Sequence, residues 1–247
     1  MSEKNEQIRL DKFLVQEGYA ISRDRAIDLI KQEGVEVNGK VINKPGMKIT
    51  FGDEITLTKQ DMPWVSRGAL KLEEALKTWN IDPHNKTCLD IGASTGGFTE
   101  VLLHRGARKV YAVDVGRGQL AEKILQDRRV VNLEKINFKN INKSKIKEKA
   151  DLICIDVSYI SLTLILEKAK TFLKGKGEMV ALIKPQFEME ERSQVGKGVV
   201  KEEKKHNYAI DKIKDFAEEI GLKTEGVIDS PILGNKGNKE FLMYMKK

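Results

Sequence analysis

One short stretch constrains the fold of this chain more than any other. Residues 88–91 predict a short buried strand, with Leu89 and Ile91 next to the loop, and residues 98–103 begin a predicted helix. Gly92, Gly96 and Gly97 lie between them, where glycine lets the backbone turn sharply and approach a ligand closely. A strand, a glycine loop and a helix N-terminus predict a nucleotide site at the carboxyl edge of a parallel sheet. The plainer interpretation is that the glycines only permit the turn.

An acidic residue after the next predicted strand supports the nucleotide interpretation. Residues 109–113 predict that strand, and Asp114 follows it. Asp114 lies about 20 residues after Gly92, a spacing at which a carboxylate accepts hydrogen bonds from ribose hydroxyls. The loop has neither the Gly-Lys-Ser/Thr of a P-loop nor the Gly-x-Gly-x-x-Gly of a dinucleotide fold. We therefore expect a nucleotide that is neither a triphosphate nor a dinucleotide.

The larger half of the chain alternates strand and helix patterns, which predicts an α/β fold with a Rossmann-like sheet. Asp156 and Lys184 end two neighbouring predicted strands, so both are expected at the same edge of the sheet. The last two predicted strands form a closing antiparallel pair, and Glu240 begins the second of them. The further predicted strands are 130–133, 150–156, 178–184, 222–232 and 239–245, and the predicted helices are 67–79, 119–127, 162–173 and 206–220.

A small α+β domain is predicted before this sheet. Residues 8–15 and 23–32 have helical apolar periodicity, with Ser22 as the N-cap of the second helix. Asn38-Gly39 between apolar runs predicts a β-hairpin, and residues 54–58 predict another strand. The predicted domains are residues 1–60 and 66–247, joined by a linker at 61–65.

Composition limits the functional classes. The net charge is +7 in 247 residues, which permits a polyanionic partner. The surplus lies in the larger domain, for example in a lysine run that suits either a solvated loop or an RNA-facing patch: Lys139, Lys143, Lys145, Lys147 and Lys149. No apolar run approaches the ~18 residues of a membrane helix, and no signal peptide is visible. Two cysteines in predicted core strands favour a reduced, cytoplasmic protein, and three scattered histidines predict no metal site.

Two segments resemble known functional motifs. Residues 89–99 resemble the S-adenosylmethionine loop of methyltransferases, particularly those that modify ribose oxygens in RNA. The small domain resembles the alpha-L, S-four type RNA-binding motif. The matching residues there are Arg9-Leu10-Asp11-x-Phe13-Leu14, Ser22-Arg23 with Ala26, and Gly34-Val35-x-Val37-Asn38-Gly39.

Nearly the whole chain is similar to the TlyA/hemolysin A family of ribosomal RNA ribose methyltransferases, whose catalytic domain is FtsJ-like. The similarity rests on the glycine loop, on residues 182–188 and on Lys71, Asp156, Lys184 and Glu240. It implies S-adenosylmethionine as cofactor, ribosomal RNA or ribosomal subunits as partners, and methylation of a ribose 2′-hydroxyl, that of cytidine in particular. The four named residues are the implied catalytic groups, with Lys184 at the hydroxyl and Asp156 beside it.

The same resemblance implies two sets of binding residues. Cofactor contacts are expected from Asp90, Gly92, Ala93, Ser94, Thr95, Gly96, Phe98, Asp114, Asn137 and Asp156. A phosphate-contacting face is expected from Arg9, Lys12, Arg23, Arg25 and Lys40, because cations on one face suit phosphate oxygens.

Other interpretations stay open at this point. The four catalytic candidates could be two buried salt bridges, and the basic residues of the small domain could be ordinary surface charges. Lys184 could act as a base or as an electrostatic stabiliser of the alkoxide. Alternative functions are a non-catalytic RNA-binding ribosome-assembly factor, a haemolysin-like membrane-active protein, and a methyltransferase acting on a base nitrogen or a small molecule.

Overall fold

The computed structural model describes residues 7–17, 19–20, 23–50, 52–57, 64–190, 195 and 198–247. The chain divides into two compact units, Met1–Ser66 and Arg67–Lys247. Most of the predicted linker at 61–65 lies outside the described residues, and so does the predicted N-cap Ser22.

The first unit combines short strands with two helices. Its elements in order are β1 (Gln7–Arg9), α1 (Leu10–Gln16), α2 (Arg23–Asp28) continued by a π-helical turn (Leu29–Glu33), β2 (Val35–Val37), β3 (Lys40–Ile42), β4 (Lys48–Thr50) and β5 (Ile55–Leu57). β1 pairs antiparallel with β4, and β2 lies between β3 and β5 in a second antiparallel sheet. The helices pack on the strands through Leu10, Leu14, Ile30, Val35 and Ile49.

The predicted hairpin in this unit is present. Asn38 and Gly39 adopt φ of 51° and 73°, the left-handed values that a two-residue hairpin turn requires. The helix predicted at 8–15 is wrong at its start, because residues 7–9 form β1. The pairing of β1 with β4 draws these residues into a sheet, and β4 is a three-residue strand that we did not predict.

The second unit is an α/β sheet with helices between its strands. Its elements in order are α3 (Gly68–Thr78), β6 (Thr87–Ile91), α4 (Gly97–His104), β7 (Lys109–Val113), α5 (Glu122–Leu125), β8 (Val130–Leu133), β9 (Ala150–Ile155), α6 (Thr163–Phe172), β10 (Leu173–Ile183), α7 (Pro185–Glu188), α8 (Glu203–Glu219), β11 (Lys223–Asp229) and β12 (Phe241–Lys246).

The seven strands lie in the order β11-β12-β10-β9-β6-β7-β8. All neighbouring strands from β10 to β8 are parallel, and β12 runs antiparallel between β10 and β11. Helices α6 and α8 share one core cluster with β6, β9 and β10, to which Leu89, Ile153 and Ile213 contribute. Every residue of β6 is buried, which explains its nearly continuous apolar sequence. The predicted sheet with a closing antiparallel pair is confirmed.

Most element boundaries differ from the prediction by one to three residues, and two elements differ by more or in kind. The helix predicted at 119–127 is only α5, because Ala121 is extended and its N–H donates to the carbonyl of Thr95 (3.1 Å), so no helix can begin earlier. Residues 173–177 belong to β10, although their glycines predicted a loop. Leu173 pairs with Ala150 of β9, the register then shifts, and regular pairing resumes at Glu178.

Candidate active site

A cleft of about 560 Å³ opens at the carboxyl edge of the parallel strands. It lies beyond the ends of β6, β7, β8 and β9, where open α/β sheets bind their ligands. Five of the predicted cofactor-binding residues line it: Gly92, Ser94, Asp114, Asn137 and Asp156.

The loop after β6 follows the end of β9 so closely that only glycine fits at its start. Gly92 has φ of 88°, and its N–H donates to the carbonyl of Val113 at 2.8 Å. A Cβ atom built on Gly92 would overlap the backbone oxygen of Asp156. Any side chain here would displace the loop from β9, so Gly92 sets the depth of the cleft.

Asp114 holds the glycine loop and the end of β7 together. Its carboxylate accepts a hydrogen bond from Ser94 N–H at 2.8 Å and another from Gly116 N–H at 2.7 Å. Ser94 has φ of 48°, so this contact compensates for a backbone conformation that few side chains favour. The carboxylate is therefore fixed at the edge of the cleft, where each oxygen can accept a further hydrogen bond.

Apolar side chains also line the cleft. Val115, Ile136 and Phe138 line it, and Val115 is 70% exposed. Asn137 lies among them, and its Oδ1 accepts from the N–H of Lys139 at 3.1 Å. We did not predict the three apolar residues. Their place in the segments that follow β7 and β8 could have indicated that they line the cleft.

Asp90 was predicted to contact the cofactor, but it lies beneath the cleft and does not line it. The side chain is fully buried, and its Oδ2 accepts from the hydroxyl of Thr99 at 2.7 Å. Burial raises the pKa of this carboxyl to about 7, and the nearby Asp156 and Asp114 add to the increase. Of the other predicted contacts, the buried Ala93, Gly96 and Phe98 and the exposed Thr95 are also absent from the lining.

The four predicted catalytic residues come together. Lys71 Nζ lies 2.7 Å from Glu240 Oε2 and 3.9 Å from Asp156 Oδ2. Lys184 Nζ lies 2.6 Å from Asp156 Oδ1. Two ammonium groups and two carboxylates thus alternate in one cluster, in which Lys71, Lys184 and Glu240 are buried. Asp156 belongs both to this cluster and to the lining of the cleft.

Separate elements deliver these side chains. Lys71 comes from α3, Asp156 follows β9, Lys184 follows β10 and Glu240 directly precedes β12. Glu240 is held against the loop before it, where a Cβ on Gly234 would overlap Oε1 of the carboxylate. Because four elements must be in place, the cluster depends on the whole second unit.

Lys184 has one interaction that the sequence analysis missed. Its ammonium donates to Ser158 Oγ at 2.9 Å, in addition to its ion pair with Asp156. Only the contact with Ser158 has hydrogen-bond geometry, because Asp156 Oδ1 has no hydrogen-bond partner among the described residues. An ammonium has three N–H donors, so at least one stays available to a substrate oxygen. Ser158 lines the cleft, so the available N–H can serve a ligand that enters there.

The basic residues predicted on the first unit differ in their surroundings. Asp11 is buried, and Arg9 and Arg23 pair with it at 2.9 and 3.1 Å. These guanidinium groups lower the pKa of Asp11 to about 2. Lys12 and Lys40 are exposed. Arg25 is only 5% exposed, which corrects its predicted place on a phosphate-contacting face: this side of α2 packs inward, next to the buried Ala26.

Within the described ranges, no three His, Cys, Asp or Glu side chains form a group that could hold a metal ion. No helix in the part of the chain that the structure describes is long and apolar enough to cross a membrane.

Known proteins resemble this chain over nearly its full length. The FtsJ-like methyltransferase family matches residues 64–247, and the S4 domain matches residues 8–55. The 16S/23S rRNA (cytidine-2'-O)-methyltransferase TlyA of Mycobacterium tuberculosis is 40% identical over 240 residues, which are 96% of this chain and 89% of that protein. Hemolysin A of Brachyspira hyodysenteriae is 44% identical over 243 residues, 96% of this chain and 99% of that protein.

A solved structure agrees with these relatives. The structure of a Streptococcus thermophilus protein that is provisionally named a hemolysin is 40% identical to this chain and has a TM-score of 0.79. The match covers 98% of this chain and 89% of that protein. The family resemblance inferred from the sequence is thus confirmed. With a catalytic unit matched from residue 64 to residue 247 and an S4 domain before it, the chain belongs to the FtsJ-like methyltransferase family, among the relatives named TlyA and hemolysin A.

Proposed function

We propose that this chain transfers a methyl group from S-adenosylmethionine to the 2′-hydroxyl of cytidine in ribosomal RNA. The observation that carries the proposal is the Lys184 ammonium at the edge of the cleft, which forms an ion pair with Asp156 and a hydrogen bond to Ser158 and keeps N–H donor capacity for a substrate oxygen. A relative that is 40% identical over 96% of this chain is named as an rRNA (cytidine-2'-O)-methyltransferase, which supplies the substrate class.

The lining of the cleft fits the proposed cofactor. Asp114 would accept hydrogen bonds from the ribose hydroxyls, and Val115, Ile136 and Phe138 would face the adenine ring. The close approach that only Gly92 permits leaves room for the donor above the loop. When bound, S-adenosylmethionine supplies a methyl group on a positively charged sulfur, which becomes a neutral thioether on transfer.

Lys184 is the group proposed to act on the substrate hydroxyl. A ribose hydroxyl is a poor nucleophile, so the enzyme must hold it in line with the methyl group and favour loss of its proton. The ammonium of Lys184 would stabilise negative charge as it develops on the 2′-oxygen. Because an ammonium cannot accept a proton, the hydroxyl proton would leave to water late in the transfer. Asp156 Oδ1, at 2.6 Å, fixes the position of that ammonium.

Lys71 and Glu240 would keep the cluster electrically balanced. The two lysines and two carboxylates carry equal and opposite formal charges, so the buried cluster has no net charge. Lys71 bridges Glu240 and Asp156, and it thereby restrains the carboxylate that Lys184 needs. The proposed role of this pair is to orient Asp156, and it requires no contact with the substrate.

Methyl transfer from labelled S-adenosylmethionine to ribosomal RNA tests the proposal. We expect incorporation at a ribose 2′-oxygen, mapped by resistance of the adjacent phosphodiester to alkaline cleavage. Lys184→Ala should reduce turnover by at least about a hundredfold while leaving the donor affinity within about twofold. Lys176→Ala, at an exposed position of β10, is the matched control and should transfer methyl groups normally. Wild-type turnover in Lys184→Ala would contradict the assigned role.

Two alternatives predict different results. A non-catalytic RNA-binding factor would bind ribosomal RNA without any transfer from the donor. A membrane-active haemolysin, suggested by the name of the Brachyspira relative, would release dye from liposomes. We expect methyl transfer without dye release, because the charged cluster at the edge of the described cleft is the site that the proposed methyl transfer requires.

A further inference from the structure

Glu188 is a buried carboxylate for which the proposed chemistry has no use. It is 1% exposed and lies at the end of α7. Ser161 Oγ donates to its Oε2 at 2.5 Å, and the N–H of Leu162 donates to its Oε1 at 2.9 Å. Both carboxylate oxygens are therefore occupied by donors from one short segment.

These contacts connect the two loops that carry Asp156 and Lys184. Ser161 and Leu162 end the loop that begins at Asp156 and leads into α6, while Glu188 ends the turn that begins at Lys184. The two catalytic side chains leave neighbouring parallel strands, β9 and β10. The carboxylate of Glu188 thus joins the loops on the far side of the ion pair.

Other contacts make the connection rigid. The rings of Tyr159 and Phe187 pack with their centroids 5.1 Å apart, again between the two loops. The N–H of Phe187 donates to the carbonyl of Lys184 at 2.8 Å. Lys212 on α8 donates to the carbonyl of Glu188 at 2.6 Å. The loops are therefore held to each other and to α8.

Stability alone does not account for a carboxylate at this place. Burial raises the pKa of Glu188 even though Ser161 and Leu162 donate to its carboxylate and the Lys212 ammonium lies 3.9 Å from Oε2, so the folded state disfavours its charge. An apolar side chain of similar size often stabilises such an interior position as well or better. A carboxylate differs in that it imposes fixed distances and directions on its donors.

We propose that Glu188 and Ser161 are positioning residues that set the geometry of the Asp156–Lys184 pair by joining the loops after β9 and β10. The inference rests on the proposed methyl transfer and extends it, because neither residue is placed near the substrate. A catalytic group displaced by about 1 Å loses up to about a hundredfold in rate.

Glu188→Gln and Ser161→Ala test the connection in the full chain. Gln keeps the size of the side chain but cannot accept hydrogen bonds on both terminal atoms, and Ala removes the hydroxyl donor. For each variant we expect kcat per donor-binding site to fall about tenfold or more, with the affinity for S-adenosylmethionine within about twofold of wild type. The double variant should be no slower than the slower single variant, because both changes break the same contact.

Two further variants separate positioning from folding. Ser161→Thr keeps the hydroxyl and should restore kcat to within about threefold of wild type. Glu167→Gln removes an exposed carboxylate from α6, the helix that follows Ser161, and should leave kcat unchanged. If kcat per donor-binding site stays at the wild-type value in both Glu188→Gln and Ser161→Ala, so that total activity falls only in proportion to the binding sites lost, the proposed positioning role is wrong. Absence of methyl transfer in the wild-type protein would instead overturn the proposed function itself.

Discussion

Replacing Asp90 by Asn should make the stability of this protein less sensitive to pH. The carboxyl is fully buried beneath the glycine loop, and burial raises its pKa from 3.8 to about 7. The folded state therefore holds the proton more tightly than the unfolded state does. As pH rises from about 4 to about 7, the unfolded chain loses this proton first, so the free energy of unfolding falls across that window. Well above pH 7 both states have lost the proton, so the free energy of unfolding no longer changes with pH through this group.

The size of the effect follows from the pKa difference. The two pKa values, 3.8 and about 7, differ by about three units, and each unit corresponds to about 1.4 kcal/mol, which gives about 4 kcal/mol as an order of magnitude. Asn has no charge at any pH, and its carbonyl oxygen can still accept from Thr99. Its amide group takes the place of Asp90 Oδ1, which lacks a hydrogen-bond partner among the described residues. That mismatch costs about 1–3 kcal/mol at every pH and so cancels when two pH values are compared.

Urea unfolding of wild type and Asp90→Asn at pH 5, 6, 7 and 8 measures the effect. The chain has two tryptophans, and a Trp64→Phe background leaves only Trp79, which stacks on Tyr244 in the second unit, to report unfolding there. We expect the unfolding free energy of Asp90→Asn minus that of wild type to rise by about 2–4 kcal/mol between pH 5 and pH 8. A difference that stays flat within about 1 kcal/mol, or that falls with pH, would refute the argument.

Three shorter predictions concern the cleft and the charged cluster. Gly92→Ala places a Cβ against the backbone of Asp156 at a positive φ, so the affinity for S-adenosylmethionine measured by calorimetry should fall about tenfold or more. Lys71→Met leaves Glu240 buried without its partner and should destabilise the protein by about 3–5 kcal/mol in urea unfolding; adding Glu240→Gln should recover most of this, and no recovery would contradict the pairing. Ser158→Ala removes an acceptor of the catalytic ammonium and should lower kcat about threefold to tenfold, with Ser158→Thr close to wild type.

The parts of the site that lie at strand ends were predictable from sequence. Leu89 and Ile91 reveal the buried strand, and the glycines after it fix where the loop turns. Asp156 and Lys184 each end an apolar run, and parallel neighbouring strands bring such ends together, so their contact follows from the pattern. In the structure their charged atoms are 2.6 Å apart.

The pairing of Lys71 with Glu240 does not follow from any spacing. The two residues are 169 positions apart, and no local pattern relates a helix in one part of a chain to the start of a distant strand. Only the family resemblance indicated that they act together. The contacts of Ser161 with Glu188 were missed for the same reason, since neither residue differs locally from an ordinary loop residue.

The structure departs from the prediction in the direction of two side chains and in one short strand. Asp90 is adjacent to the glycine loop in sequence, but successive side chains of a strand point to opposite sides, and its side faces Thr99 on α4. Arg25 lies on a helix of only six residues, too short for apolar periodicity to identify the buried face. The strand β1 is three residues long and is defined by its partner β4, which is distant in sequence.

The place of β12 within the sheet has a consequence for the nascent protein. This strand follows β11 along the chain yet inserts between β11 and β10, and Glu240 stands at its entrance. During synthesis the strands that surround the cleft emerge earlier, so a donor pocket can assemble while Lys71 still lacks its carboxylate partner. In the proposed reaction, a growing polypeptide would therefore bind the methyl donor before insertion of β12 brings Glu240 to Lys71 and completes the charged cluster.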